Sequence, residues 1–290
     1  MQYEAPTKLA DVVPLLASAN GHGRVLAGGT DLLARFATGA ARPTLLVDIK
    51  HVAELTVIER DSDGGFTIGA GVCGAAVSEH NGLCSAWPGV TEAMELIGSV
   101  QIQGRATLGG NLCNASPAAD SVPALIAAAA RCRIMGSSGE RYVDVADIIQ
   151  SPGKTCLAKD EFIVSFYLPP RPPRSADAYL RLIPRSEMDI AVAGAAVDLT
   201  LDDAGKVQAA SVALGAVSPV PLLVPKASAL LVGSQLDAAV MARFQAIISS
   251  SCRPLDDKRG TIEYRSHVAG VLAVRAALIA GQRAAAGERT

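Results

Sequence analysis

Thr107-Leu108-Gly109-Gly110-Asn111-Leu112-Cys113-Asn114-Ala115-Ser116-Pro117-Ala118-Ala119-Asp120 is the stretch whose reading decides the fold. Two adjacent glycines stand between an expected strand end and an expected helix start. Glycine has no Cβ, so the chain can turn sharply and another group can approach the backbone. Successive peptide N–H groups in such a turn converge on an anion. Asn111, Asn114 and Ser116 add short polar side chains. Asp120 and Ser121 then precede Val122-Pro123-Ala124-Leu125-Ile126, which reads as a capped helix with proline near its start, predicted over 121–130. A helix N-terminus favours negative charge through its dipole and free N–H groups.

A second turn of the same kind lies upstream, in Leu26-Ala27-Gly28-Gly29-Thr30-Asp31-Leu32-Leu33. A short apolar strand again runs into Gly-Gly, then into a polar cap. Leu32, Leu33 and Phe36 would share one helical face. Neither turn contains lysine, so the two could hold a pyrophosphate by backbone N–H groups alone. Each turn by itself reads as a plain tight turn. The two full strings together are the specific signal.

Those two strings resemble the FAD-binding medium subunit of the molybdenum hydroxylases, the xanthine dehydrogenase and carbon monoxide dehydrogenase family. The resemblance extends over nearly the whole chain. It implies an α+β fold: a two-subdomain FAD-binding fold of the PCMH (vanillyl-alcohol oxidase-like) type, then an α+β carboxy-terminal domain. The expected units are an FAD-binding subdomain over 1–59, a second over 60–173, and a CO dehydrogenase flavoprotein-like domain over 176–290. The resemblance also implies cofactor contacts from Leu26, Ala27, Gly28, Gly29, Thr30, Asp31, Leu32 and Leu33, and from Thr107, Leu108, Gly109, Gly110 and Asn111. Asp120 matches a motif position assigned to the adenosine side, although a helix cap is an equal reading of the residue itself. Ile97, Ile163 and Arg181 align with positions near the flavin and have no motif to pin them. Arg181 reads equally as a surface salt-bridge partner.

In this family, FAD passes electrons from two [2Fe–2S] clusters on a small subunit to an external acceptor, while substrate is hydroxylated at a molybdenum cofactor on a large subunit. The implied assembly is a dimer of heterotrimers, and this chain would carry no catalytic acid or base of its own. Gly28-Gly29-Thr30 stands where covalently flavinylated members of the superfamily place histidine beside glycine, so FAD is expected without a covalent bond. A stand-alone FAD-dependent oxidase or dehydrogenase of the same superfamily is the alternative, and a non-catalytic dinucleotide-binding module is a third reading.

Composition is that of a globular chain. The chain has 290 residues, half of them hydrophobic and 19% charged, with a net charge of −2. That balance offers no basic footprint for nucleic acid and no polybasic membrane patch. The longest apolar run, Val122 to Ala130, is too short to cross a bilayer. No secretory signal is read at Met1-Gln2-Tyr3-Glu4-Ala5-Pro6, and a cytoplasmic location is expected. The six cysteines form no Cys-x-x-Cys pair, which argues against a cluster or a disulfide framework in this chain. The four histidines are scattered and show no metal-ligand spacing. Cys113, inside the second motif, reads as a small buried hydrophobe. Gly69-Ala70-Gly71-Val72-Cys73-Gly74 weakly echoes a dinucleotide fingerprint but is read as a structural turn.

Periodicity places further elements. A helix around Leu9 to Ala17 would have Thr7 as N-cap, with Pro14 kinking it or moving its start. Helices are also expected over Val90 to Ser99, Leu236 to Ser250 and Ile262 to Ala280, and the tail from Gly281 to Thr290 is expected to fray. Strands are expected over 24–27, 44–49, 190–201 and 206–217, with a hairpin from 55–59 to 66–70. Phe162, Val164, Phe166 and Leu168 alternate with Ile163, Ser165 and Tyr167, as in a strand with one apolar face. Pro169-Pro170-Arg171-Pro172-Pro173 marks the clearest boundary.

Overall fold

The computed structural model describes residues 1–287. The first unit is β1 (Gln2–Glu4), α1 (Leu9–Ser18), β2 (Gly23–Leu26), α2 (Leu32–Ala37) and β3 (Leu45–Asp48). Its three strands form a parallel sheet in the order β1-β3-β2. The central strand is buried throughout, as its unbroken Leu-Leu-Val run requires of a covered parallel strand. Pro14 sits within α1, which neither starts later nor stops there. Val12 and Leu16 are buried on its core face and hold the helix although one N–H is missing. The N-cap is Lys8 without a side-chain bond, not Thr7. Leu33 and Phe36 of α2 are both exposed, so its apolar face is not covered by the chain itself.

The second unit adds β4 (Ile58–Arg60), β5 (Phe66–Gly69), and a run of short helices: α3 (Gly74–Glu79), α4 (Asn81–Ala86), α5 (Pro88–Glu95), α6 (Val100–Gln103), α7 (Leu108–Cys113) and α8 (Ser121–Ala127). Strands β6 (Arg131–Gly136) and β7 (Gly139–Asp144), a small hairpin of β8 (Ile149–Ser151) and β9 (Lys154–Thr155), and β10 (Phe162–Leu168) complete it. The main sheet is antiparallel, in the order β4-β5-β10-β6-β7. The expected helix over Val90 to Ser99 stops at Glu95, because Gly98 takes φ +65° beyond it. The helix expected to reach Ala130 ends at Ala127, and Ala129 follows at φ +52°.

The central strand β10 departs from the expected alternation. Its pairing with β6 slips by one residue between Ile163 and Ser165. Such a bulge exchanges the faces of everything beyond it. Phe162 and Val164 therefore join the core of the first unit, while Phe166 and Leu168 join that of the second. Both faces of the strand are buried, and one strand belongs to two cores.

The third unit comprises β11 (Ser175–Leu182), β12 (Ala193–Leu201), β13 (Val207–Gly215), β14 (Leu222–Leu223), α9 (Pro225–Leu231), α10 (Ala238–Ser251) and α11 (Ile262–Ala286). Its strands form an antiparallel sheet in sequence order. One face packs on α11 and the other on α5 and α8. The proline stretch does separate β10 from β11, yet Tyr179, Ala196 and Ala213 reach into the core of the second unit. Asp237 caps α10 through bonds from Ala239 and Val240, which moves its start to Ala238.

By length and composition α11 could cross a membrane. Here it is a core helix, with Ala269, Ala273, Ala276, Ala277 and Ala280 fully buried. It runs on to Ala286 because Ala284 is buried and Arg283 pairs with Glu92. The expected fraying from Gly281 is thus wrong up to Gly287, and Glu288 to Thr290 lie outside the described residues. Within the stretch Asp256 to Arg265, Arg265 is buried, pairs with Asp257 at 2.6 Å, and donates to the Val192 carbonyl.

Candidate cofactor site

The two glycine motifs lie against each other. A Cβ on Gly28 would overlap the Arg105 carbonyl, two residues before Thr107, so the first turn presses on the lead-in to the second. Gly29 has φ +76°, a conformation other residues adopt only with strain. Asn114 then ties the motifs together, donating to Asp31 Oδ1 at 3.2 Å. Asp31 occupies the N-cap position of α2 but makes no capping bond. Among the described residues, the peptide N–H groups of Gly28, Gly29, Thr30 and Asp31 donate to nothing.

The second glycine pair is not in a loop between strand and helix, as the sequence suggested. Gly109 and Gly110 lie in the first turn of α7, and Thr107 is its N-cap, accepting from Gly110 N at 2.9 Å. A Cβ on Gly109 would press on the Ala70 carbonyl at 2.7 Å. Gly110 is exposed, and a Cβ there would meet only Thr107 Oγ1, at 3.1 Å. One glycine serves packing and the other leaves an open backbone. The Gly69–Gly74 stretch is structural: Gly69 and Gly71 abut Leu55 backbone atoms, and Gly74 N donates to the Ala106 carbonyl. Cys113 is exposed as a residue rather than buried, although desolvation pushes its thiol up to about 12.

Asn111 accepts from Ser121 Oγ at 2.7 Å and from Ser121 N at 3.3 Å. This fixes α7 to the start of α8, where Asp120 sits. Asp120 is buried and makes no capping bond. Its carboxylate instead accepts from Tyr179 Oη at 3.0 Å and from Arg181 Nη1 at 2.6 Å. Burial pushes this carboxyl up to about 6, outweighing the Arg181 charge and the two hydrogen bonds. Tyr179 and Arg181 are two apart on β11 and therefore share a face. That spacing was the available signal for Tyr179, which the motif reading missed.

The Arg181 side chain is only 4% exposed, and its Nε is buried without a partner among the described residues. It lines a cavity of about 490 Å³ with Leu96, Gly98, Ser99, Gln103 and Ser78, whose Oγ is also unpartnered. Ile97 is half-buried between two of these lining residues. Ile163 is not brought to this group. It is 3% exposed in β10, pairs with Ile134 on β6, and belongs to the core. Leu26, Ala27 and Leu108 are likewise buried. Hydrogen bonds, together with the backbone of α7 and the Asp120–Ser121 peptide, thus link Asp31 through Asn114, Asn111 and Ser121 to Asp120 and Arg181.

Residues 1–171 match the FAD binding domain in molybdopterin dehydrogenase, and residues 178–280 match the CO dehydrogenase flavoprotein C-terminal domain. The chain belongs to the FAD-binding medium subunits of the molybdenum hydroxylases. It is 33% identical to the carbon monoxide dehydrogenase medium chain of Afipia carboxidovorans, over 97% of each chain. It is 30% identical to a putative xanthine dehydrogenase FAD-binding subunit of Escherichia coli, over 92% of this chain and 91% of that one. Among solved structures, carbon monoxide dehydrogenase of Hydrogenophaga pseudoflava superposes with a TM-score of 0.93 at 28% identity, covering 98% of both chains. Quinoline 2-oxidoreductase of Pseudomonas putida 86 gives 0.90 at 27% identity, with the same coverage. The α+β architecture expected from the sequence is that of this family, and the chain is an oxidoreductase subunit.

The residues present fit FAD. Four unpartnered N–H groups and an open glycine form a cradle suited to phosphate oxygens. Arg181 and Ser78, whose Nε and Oγ are buried without a partner among the described residues, line a cavity large enough for a planar ring system.

Proposed function

We propose that this chain carries FAD between its first two units and relays electrons from [2Fe–2S] clusters on a small partner subunit to an external acceptor. A large partner subunit would hold the molybdenum cofactor and the substrate. The observation that carries this reading is the direct packing of the two glycine motifs, with the N–H groups of Gly28 to Asp31 left free. Bound FAD would supply the chemistry, accepting electrons from a donor and giving them up to an acceptor.

The chain's own residues bind and orient. Gly28, Gly29, Thr30 and Asp31 would offer backbone donors to the pyrophosphate, with Gly110 admitting it from the other side. Thr107 and Asn111 hold α7 in place for this. Arg181, fixed by Asp120, would present its charge to the ring end of the cofactor. Because Asp120 and Arg181 form one ion pair, the two serve one end of the cofactor rather than opposite ends. Ile97 would line that end, while Ile163 supports it from the core. Bonding is non-covalent, the three units follow the boundaries read from the sequence, and the assembly is a dimer of heterotrimers in the cytoplasm.

The test is to produce this chain alone, load it with FAD, and assay it with aldehydes and heteroaromatic compounds while metals are shown to be absent. A flavin that dithionite reduces, with no hydroxylation, is the expected result. Sustained substrate turnover would replace the subunit reading with that of a stand-alone oxidase.

A further inference from the structure

Behind the first glycine turn lies a polar chain that no sequence motif announced. Asp48, at the end of β3, is only 4% exposed. Its Oδ1 accepts from Lys50 Nζ at 2.6 Å and from Lys50 N at 3.0 Å, and its Oδ2 accepts from Tyr3 Oη at 2.7 Å. These hydrogen bonds hold the Asp48 carboxyl below the usual carboxylate range against the opposing pull of its burial. The ammonium of Lys50 then reaches across to donate to the Ala27 carbonyl at 3.1 Å. Ala27 O belongs to the same peptide unit as Gly28 N, and no peptide bond among the described residues is cis. In a trans peptide the C=O and N–H point in opposite directions. An ammonium anchored on the carbonyl therefore directs the Gly28 N–H the other way, into the cradle, where it has no protein acceptor.

We infer that Lys50 is a positioning residue for the dinucleotide pyrophosphate, acting through the Ala27–Gly28 peptide without touching the ligand. This rests on the proposed function, in which that cradle binds FAD. The anchored charge does two things. It fixes the rotation of a peptide that glycine would otherwise leave free. It also polarises the peptide, so that its N–H becomes a stronger donor toward an anion. Asp48 and Tyr3 serve Lys50 in turn, holding its amine at the carbonyl. The first turn thus has the lysine that its own sequence lacks, placed behind the backbone rather than in front of it.

The experiment measures FAD affinity of the full-length chain by quenching of flavin fluorescence. K50M is expected to weaken binding about tenfold, the scale of one lost charge-assisted bond. Since K50M leaves Asp48 buried beside Tyr3 alone, K50M/D48N is measured beside it; it removes the stranded charge and should show the same loss with a native melting temperature. K50R, which keeps a donor at the carbonyl, should stay within about threefold of the wild type. The inference is overturned if the double variant binds FAD as the wild type does, or if K50R loses as much as K50M. A wild-type chain that takes up no FAD at all would instead sink the proposed function.

Discussion

Single atoms separate the roles of the four motif glycines. Gly28 and Gly109 are packing glycines, Gly29 supplies a positive φ of +76°, and Gly110 leaves the open backbone that the proposed function gives to the ligand. Gly28→Ala must push the Arg105 carbonyl away, an overpacking cost on the order of 1–3 kcal/mol, and should lower the melting temperature of the apoprotein. Gly110→Val meets only the Thr107 hydroxyl, so it should lower the melting temperature less than Gly28→Ala while failing to retain FAD. Differential scanning of the two apoproteins, together with flavin content after gel filtration, checks both. A fully flavinylated Gly110→Val would mean that the cradle is mis-assigned. Asp120 contributes to the pH dependence, beside the buried Asp177, whose carboxyl is pushed up to about 7. The folded Asp120 carboxyl titrates near 6 against an ordinary value near 4, so the folded state holds the proton more tightly than the unfolded chain. The stability from this group is present at low pH and is lost as pH rises toward 6. Between pH 5 and 7 the loss is about 1 kcal/mol. Urea unfolding at the two pH values should show the stability of the wild type, relative to that of Asp120→Asn, falling by this amount on going to pH 7. A pH-independent difference would refute the assignment.

Among the elements, α5 depends most on a distant residue. Asp177 of β11 accepts from Val90 N at 3.1 Å and so caps the helix from another unit. Arg171, from the proline stretch, donates to Asp177 Oδ1 at 2.7 Å, pairs with Asp198, and lies over the Trp87 ring at 3.8 Å. Glu92 of α5 pairs with Arg283 of α11. The C-terminus of α5 leads into Leu96 and Gly98, two walls of the cavity. Arg171→Met strands two carboxylates that are mostly buried and should cost about 3–5 kcal/mol, measurable by chemical denaturation. Unchanged stability would show that the guanidinium is not what binds the units. Element by element, the sequence was legible wherever local pattern decides structure. β2, β3, β5, α10 and the body of α11 lie where periodicity put them. The bulge in β10 was not legible, because Phe162 to Leu168 fits a plain alternation and only the pairing partner reveals the slip. The extension of α11 was hidden for a related reason: Arg283 reads as a tail residue until Glu92 is known to face it.

At the scale of the molecule, the site was legible in its backbone and obscure in its side chains. Both glycine strings, Thr107 and Asn111 carry their role in short local sequence, and the structure packs them together. Lys50 and Tyr179 carry theirs through partners far along the chain, Ala27 and Asp120, which no local window contains. Asp120 stayed divided between a helix cap and a cofactor contact, because sequence shows only that it precedes a helix. The boundary at Pro169 to Pro173 was plain, but Tyr179, Ala196 and Ala213 cross it to complete the neighbouring core. Because β10 belongs to two cores, the two glycine turns are held at a fixed separation before any ligand arrives. That shared strand and the packing of Gly28 on Arg105 should leave little ordering entropy to be spent on binding. Cofactor uptake should then behave as insertion into a rigid slot, and the binding energy goes into retention rather than into assembling the site.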